Sequence, residues 1–326
     1  MRVLIIVPRQ PRQTGNWVAA DRFAAGLVSA GHQVQMTETP GDSATTILVA
    51  VKHFAPDAVL LLHAFRTGNP WLLSGLKIPY FVLPTGTDLH RDLKQPNLQA
   101  VIDQVLEHAD AILLQNRQDY ADLRQNSKLA GKLHYLPAAA SLGNQELILD
   151  KGEMLLLLHP AGIRPVKGNL ELLLMSDKLA CQHRFRLAFC GPELDADYAA
   201  ELHTELAKRP WAEYLGVIPQ PAMASLMRQA DIVLNNSVSE GLSNALVEAC
   251  TLGRPILARN NSGNRAVVTP ELNGRLYDTE QEFVHKASAL LGDTHLRSTL
   301  TNRCTDQFSS DQESLVLNRI FANLRI

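Results

Sequence analysis

The chain has 326 residues, of which 46% are hydrophobic, and its 31 basic and 33 acidic residues give a formal net charge of −2. This length and apolar content suit two domains of ordinary size, each with its own core. The mixed charge excludes a strong electrostatic preference for nucleic acid or for an anionic membrane surface, so we expect small molecules as partners.

Strand-like apolar runs alternate with helical patterns through the first part of the chain. The runs lie at residues 3–7, 34–36, 58–62, 80–83, 111–114 and 133–136, with helical stretches such as 19–29 and 98–108 between them. Alternation of this kind predicts a parallel sheet that is covered by helices on both faces. We assign residues 1–150 to this first α/β domain.

The alternation begins again after a polar, glycine-containing segment at residues 141–152. A leucine-rich strand at 154–158 is followed by strand-like runs at residues 186–190, 213–215, 232–234 and 256–258. Each run leads into a loop and a helical stretch, so we expect a second doubly wound α/β domain over residues 151–305. Residues 306–326 are expected to form a final helix, because an apolar stripe runs through them at Leu317, Ile320, Phe321 and Leu324.

The four cysteines are scattered and form no C-x-x-C pair. The sequence therefore predicts neither a disulfide framework nor a zinc site, and it favours a reducing cytoplasm as the location. The first apolar run, residues 1–8, is too short for a signal peptide and indicates a buried strand. The other apolar runs also have strand length, so we expect no transmembrane segment.

The most informative motif is a pair of carboxylates, Glu240 and Glu248, with seven residues between them. The apolar spacing after them predicts that a helix begins at Ser243 or Asn244, where free backbone N–H groups attract phosphate. If the whole stretch were helical, the carboxylates would lie about 12 Å apart, roughly the length of a sugar-diphosphate-ribose unit. Two glutamates on a helix are usually solvated, but here a strand leads in and another leads out, which favours a ligand site.

Two stretches at this place, residues 235–241 (NNSVSEG) and 258–268 (ARNNSGNRAVV), resemble the retaining glycosyltransferases of the GT-B fold with a group 1 domain. Within that family they are most similar to the group of glycosyltransferase 1 domain-containing proteins. The resemblance implies two Rossmann-like domains that face a cleft, with the final helix packing back on the first domain. It also implies transfer of a sugar from a nucleotide donor, with UDP-sugars favoured, to a small acceptor. No D-x-D pair stands where a metal would be held, so we expect no metal and no cofactor.

The resemblance also implies roles for residues of the second half. Arg164 and Lys167 would neutralise the donor diphosphate as it leaves, and a solvated loop is the alternative. Glu240 would orient the sugar and Glu248 would hold the ribose hydroxyls. The diphosphate would lie over the start of the helix, at Gly241, Leu242, Ser243 and Asn244. The loop at residues 216–219, which includes Ile218, would form the base-stacking loop, with its backbone atoms reading the base, although a tight turn alone also explains its composition.

In the first half, Gly15 and Asn16 follow the first strand and would approach the donor phosphates or the acceptor. A plain helix cap at Thr14 or Asn16 is the alternative.

Asp88 follows the fourth strand and would face the cleft near the donor sugar. Relatives read His-Gly-Thr-Asp at this point, whereas this chain has Thr85 in place of the histidine. A turn or cap role for Thr87 and Asp88 is the alternative.

His63 and Arg66 end the third strand and are acceptor-side candidates. A purely structural histidine is the alternative there.

Two other functions remain open at this stage. Residues 85–92 (TGTDLHRD) are also similar to the selenosugar synthase of selenoneine biosynthesis, which implies UDP-GlcNAc and selenophosphate as substrates. A chain that keeps the donor site without turnover would be a nucleotide-sugar sensor or scaffold. An oxidoreductase is disfavoured, because no G-x-G-x-x-G follows the first strand.

Overall fold

The computed structural model describes residues 1–41, 43–150, 152–301 and 307–323. These residues form two compact units. Unit 1 comprises Met1–Ala138, the short segment Glu240–Leu242 and the C-terminal segment from Ser309. Unit 2 comprises Ala139–Ser239 and Ser243–Phe308.

Unit 1 contains a parallel sheet of six strands in the order β2-β1-β3-β4-β5-β6. The strands are β1 Arg2–Pro8, β2 Gln33–Thr39, β3 Ala58–Leu62, β4 Tyr80–Leu83, β5 Ala111–Leu114 and β6 Leu133–Tyr135. The helices that alternate with them are α1 Gly15–Ser29, α2 Thr45–Phe54, α3 Gly68–Ser74, α4 Gly86–His90, α5 Pro96–His108 and α6 Arg117–Leu123. The chain adds strands on one side of β1 and then on the other, so the topological switch point lies between β1 and β3.

Unit 2 contains a second parallel sheet of six strands, in the order β12-β11-β10-β7-β8-β9. The strands are β7 Leu155–Pro160, β8 Phe185–Cys190, β9 Ala212–Tyr214, β10 Ile232–Asn235, β11 Ile256–Arg259 and β12 Gly274–Tyr277. The helices are α7 Asn169–Met175, α8 Asp177–Ala180, α9 Ala196–Leu206, α10 Gln220–Gln229, α11 Asn244–Thr251, α12 Ser262–Arg265, α13 Glu280–Gly292 and α14 Thr294–Thr299. The switch point of this sheet lies between β7 and β10. The predicted fold class, two doubly wound parallel sheets, is confirmed.

The central strands, such as β1, β3 and β10, are buried on both faces, as expected for all-parallel sheets, whereas the edge strands β2, β9 and β12 are partly exposed. In β1, Val3 and Ile5 pack into one core cluster of unit 1 with Phe23, whereas Leu4 and Ile6 pack into the other. The alternation follows from the period of two along a strand, which sends successive side chains to opposite faces. One apolar run therefore fills two helix-covered cores.

The last helix, α15 Ser310–Ala322, lies in unit 1 and packs against α1. Its Leu317 and Phe321 are buried with Phe23 in a shared cluster. Glu313 forms a buried ion pair with Arg22 of α1, with Oε1 accepting a 2.9 Å hydrogen bond from Nη2. Leu324, the end of the predicted apolar stripe, is outside the described residues, as is Asp306 near the predicted start of this segment.

The division between the units falls earlier than the predicted boundary at residue 150. Residues 139–150 belong to unit 2, because this segment runs along α10. The Gln145 N–H donates to the carbonyl of Pro221 at 2.9 Å, and the Leu149 N–H donates to the side chain of Gln229 at 2.9 Å. The polar composition of the segment is therefore that of an ordered strap on a helix.

The cysteines depart from the sequence expectation at one position. Cys181 and Cys190 are free thiols, whereas Cys250 is disulfide-bonded. The expectation of cysteines without disulfides is therefore wrong for Cys250. Among the described helices, none is both long and apolar enough to cross a bilayer.

Candidate functional site

The switch point of unit 2 brings together the loops that follow β7 and β10. The loop after β7 carries Arg164 and Lys167 around a single 3₁₀ turn, Pro165–Lys167. The Asn236 side chain, just after β10, donates to the carbonyl of Gly168 at 2.7 Å. The Val238 N–H donates to the carbonyl of Val166 at 2.9 Å. The predicted diphosphate-binding loop is thus joined directly to the loop that leads to Glu240.

Gly168 is required by this close approach. Its φ of +62° lies in the left-handed region, and a Cβ there would stand 2.6 Å from Nδ2 of Asn236 and 2.7 Å from its carbonyl oxygen. Any side chain at this position would push the two loops apart.

A buried layer of amide side chains supports the loop after β10. Nδ2 of Asn235 donates to Oγ of Ser243 at 3.0 Å, and its Oδ1 accepts from the Ser237 N–H at 2.9 Å. Oδ1 of Asn236 accepts from the Tyr277 hydroxyl at 2.6 Å, and burial raises the pKa of this tyrosine far above its usual range. These hydrogen bonds fix the loop at both ends. Sequence reasoning used Asn235 and Asn236 only as signs of a family.

The helix α11 begins where the sequence predicts, with Ser243 as its N-cap and Asn244 as its first residue. Glu248 lies in its second turn and is only 5% exposed. Its Oε1 accepts a 2.9 Å hydrogen bond from Nε2 of Gln220, the first residue of α10. Ile218 is 8% exposed and lies just before α10 in the chain. Gln220, which sequence reasoning missed, therefore bonds to the residue predicted for the ribose and directly follows the loop predicted for the base.

The segment Glu240–Leu242 is grouped with unit 1. Nδ2 of Asn116, the N-cap of α6, donates to the carbonyl of Gly241 at 2.9 Å. Gly86 lies so close that a Cβ on it would stand 1.9 Å from the Gly241 nitrogen. Asn116 thus binds the backbone next to Glu240, the predicted catalytic residue. Sequence reasoning did not find Asn116.

The switch point of unit 1 carries the candidates of the first half. Gly15 and Asn16 open α1, directly after the loop that follows β1. The Thr14 hydroxyl donates to the carbonyl of Pro11 at 2.8 Å and makes no cap bond to the helix. Thr14 is thus the N-cap residue of α1, as the alternative proposes, but its side chain does not cap the helix. The ligand contacts of Gly15 and Asn16 stay predictions.

His63 and Asp88 form a buried pair at the ends of β3 and β4. Nδ1 of His63 lies 2.5 Å from Oδ1 of Asp88, and the two side chains are 3% and 0% exposed. The backbone at His63 has a φ of +90°, a conformation that a residue with a Cβ adopts only under strain. Arg66 is half-buried one turn further on, with its backbone N–H 3.1 Å from Nδ1 of His63.

The sequence predicts that Asp88 faces the ligand, and the structure corrects this. Oδ2 accepts from the backbone N–H groups of Ala64 and Thr85, both at 2.8 Å, and Oδ1 accepts from the Phe65 N–H at 3.2 Å. Burial alone would raise the pKa of Asp88, but the charge of His63 and the hydrogen bonds from His63, Thr85 and Ala64 together lower it. Asp88 is a capping residue of α4, as the alternative interpretation proposes.

One group of potential metal ligands occurs among the described residues. His63, Asp88 and Asp92 have ligand-type atoms within 4.8 Å of one another. Both oxygens of Asp88 already accept N–H bonds, so a cation there would have to displace the cap of α4. The group is therefore a poor metal site.

A cavity of about 390 Å³ lies elsewhere in unit 2. It is lined by Glu171, Leu174, Met175, Asn236, Arg259, Tyr277, Asp278, Thr279 and Glu280. None of the predicted site residues lines it. Asn236 is shared with the switch-point loops, so this cavity lies beside the predicted donor site.

Residues 146–306 match the family described as "Glycosyl transferases group 1". This stretch has the sequence of a glycosyltransferase group 1 domain, and the two doubly wound parallel sheets have the GT-B fold. The chain is similar to Glycosyltransferase 1 domain-containing protein 1 of Xenopus tropicalis, with 26% identity over 319 residues that cover 91% of this chain and 90% of the relative.

Solved structures agree on the fold. Sucrose-phosphate synthase from Thermosynechococcus elongatus superposes with a TM-score of 0.82 at 15% identity, covering 99% of this chain and 98% of that one. The structure of Anabaena HepE in complex with UDP-glucose gives a TM-score of 0.79 at 16% identity, covering 99% and 100% of the two chains.

Proposed function

We propose that the protein is a retaining, metal-independent glycosyltransferase that moves a sugar from a nucleoside diphosphate sugar, with UDP favoured, to a small acceptor. The observation that carries this proposal is the direct joining of the two switch-point loops by the Asn236–Gly168 hydrogen bond. It brings the loop of Arg164 and Lys167 beside the loop that leads to Glu240. The HepE complex with UDP-glucose, on the same fold, supports a UDP-sugar as donor.

Each group has a defined task in this proposal. Arg164 and Lys167 stabilise the negative charge that develops on the departing diphosphate. The first N–H groups of α11 add to this, because helix N-termini favour anions. Glu240 orients the sugar, and the buried carboxylate of Glu248 accepts hydrogen bonds from ribose hydroxyls.

The metal-independent part of the proposal concerns carboxylate pairs. The chain has a D-x-D spacing at Asp195 and Asp197. Asp195 is the N-cap of α9, and its Oδ1 accepts from the Tyr198 N–H at 3.1 Å. Since this carboxylate already caps a helix, we assign charge neutralisation to the basic pair instead.

A donor screen tests the proposal. UDP-, GDP- and ADP-sugars are added to the full chain with a chelator present, and the melting temperature is measured for wild type, Glu248→Gln and the exposed control Glu201→Gln. A donor at about 100 times its Kd stabilises by about 2.7 kcal/mol, a shift of several degrees. We expect one donor class to stabilise wild type and the control but not Glu248→Gln. No shift with any donor would refute the donor site.

Product analysis separates the alternatives. The stabilising donor is incubated with a panel of sugars, small alcohols and selenophosphate, and the anomeric proton of the product is followed by NMR. A product with the donor's anomeric configuration supports retention, and the opposite configuration contradicts it. A selenosugar formed from UDP-GlcNAc would favour the selenosugar synthase. Binding without transfer or donor hydrolysis would favour the sensor.

A further inference from the structure

Gln220 connects three segments of unit 2 through a single amide group. Its Nε2 donates to Oε1 of Glu248 at 2.9 Å and to the carbonyl of Ser141 at 2.9 Å. A carbonyl oxygen and a carboxylate oxygen can only accept, so the orientation of the amide is fixed by its partners. Gln220 also opens α10 directly after the loop that carries Ile218.

The third segment, around Ser141, is held firmly in place. Gly143 lies so close to the start of α10 that a Cβ on it would stand 2.3 Å from both Cα and the carbonyl oxygen of Pro221. The Leu147 N–H donates to Oγ of Ser225 at 3.0 Å, one turn further along the helix. The carbonyl that receives the second hydrogen bond of Gln220 is therefore part of an ordered strap. It gives the amide nitrogen a second acceptor besides the carboxylate.

A carboxylate that is 5% exposed needs hydrogen-bond donors to remain ionised. The Gln220 amide supplies one such donor and restricts the rotamer of Glu248 before any ligand arrives. A side chain that is already ordered loses less conformational entropy on binding, so its hydrogen bonds to a ligand contribute more to affinity.

We propose that Gln220 is a positioning residue for nucleotide recognition, which holds the Glu248 carboxylate in place for the ribose hydroxyls. The inference rests on the proposed function, because it assigns the ribose to Glu248. It also links the base loop to the ribose carboxylate, so one rigid connection sets the distance between the two ends of the nucleoside. Gln220 acts through Glu248 and need not touch the ligand.

The test measures dissociation constants of UDP and 2′,3′-dideoxy-UDP for the full chain by calorimetry. For UDP, we expect Gln220→Ala to weaken binding about five- to tenfold, the size expected when one side chain loses its preorganisation. For dideoxy-UDP, which lacks the hydroxyls, the same substitution should change the Kd less than twofold. Gln220→Glu, which places a second carboxylate against Glu248, should weaken UDP binding further.

Two controls distinguish positioning from general loosening of the strap. Gln229→Ala removes an amide at the other end of the same helix, which donates to the Leu147 carbonyl at 2.6 Å. It should affect UDP and dideoxy-UDP equally. In a Glu248→Ala background, Gln220→Ala should have no further effect on UDP binding.

The outcomes separate this inference from the proposed function. Equal weakening of UDP and dideoxy-UDP by Gln220→Ala, or an additive effect with Glu248→Ala, would overturn the positioning role while UDP binding by wild type still supports the donor site. Wild type that binds neither UDP nor the GDP- and ADP-sugars of the donor screen would overturn both.

Discussion

Removal of the Asp88 carboxylate should destabilise unit 1 strongly. The side chain is fully buried and accepts hydrogen bonds from three backbone N–H groups, besides its contact with His63. Breaking a buried pair by removing one partner typically destabilises by about 3–5 kcal/mol. Each buried N–H left without an acceptor adds to this unless the site relaxes, so we expect about 4 kcal/mol for Asp88→Ala. Asp88→Asn keeps the shape and one acceptor oxygen, and should lose about 2 kcal/mol.

Urea unfolding measures this loss. Trp17 and Trp71 are buried in unit 1, and replacing Trp211 of unit 2 by phenylalanine leaves a fluorescence signal from unit 1 alone. Asp57 is the matched control, because this exposed carboxylate accepts one backbone N–H, that of Arg2, at 2.7 Å. Asp57→Ala should lose less than about 1 kcal/mol. An Asp88→Ala loss no larger than that of the control would refute the reasoning.

The same carboxylate makes stability depend on pH. The folded-state pKa of Asp88 lies below its ordinary value, so the unfolded chain binds the proton more tightly. The stabilisation is therefore complete above the ordinary aspartate pKa and is lost as the pH falls through the folded-state value. The difference in unfolding free energy between wild type and Asp88→Asn should stay constant from about pH 7 down to about pH 4, the ordinary aspartate pKa, and shrink below it. A difference that also stays constant below about pH 4 would show that the charge of Asp88 contributes nothing.

Two further predictions concern contacts within unit 1. Gly86→Ala should lower the transfer rate about 100-fold. Its Cβ would stand 1.9 Å from the Gly241 nitrogen and would displace the segment that carries the predicted catalytic Glu240. The rate is measured as release of UDP. Gly131→Ala, with no heavy atom within 4 Å, is the control, and equal rates for the two variants would contradict the prediction. Glu313→Ala should cost about 3–5 kcal/mol, because it leaves Arg22 buried without its counter-ion. Hydrogen exchange in α15 reports that loss, and unchanged protection would count against it.

The sheets were predictable because their strands are continuous apolar runs between polar turns. β12 was missed, since Gly274–Tyr277 is short and half of its residues are only partly buried. The start of α11 was found from local spacing, which a sequence displays directly. Asn116 and Gln220 were not found, because their partners Gly241 and Glu248 lie far away in the chain, and no local pattern records a tertiary hydrogen bond. For Asp88, a cap and a ligand contact call for the same residue type, and only burial distinguishes them.

The chain enters unit 1 three times, and this decides how the protein can be divided. A fragment that ends at Ala138 would lack α15 and would expose the apolar surface that Leu317, Ile320 and Phe321 cover. Such a fragment should aggregate, whereas joining residues 309–323 to it through a flexible linker should restore a soluble unit. Residues 1–138 and 309–323 thus belong to one folding unit, and the first sheet is fully covered only after the residues of α15 have been synthesised.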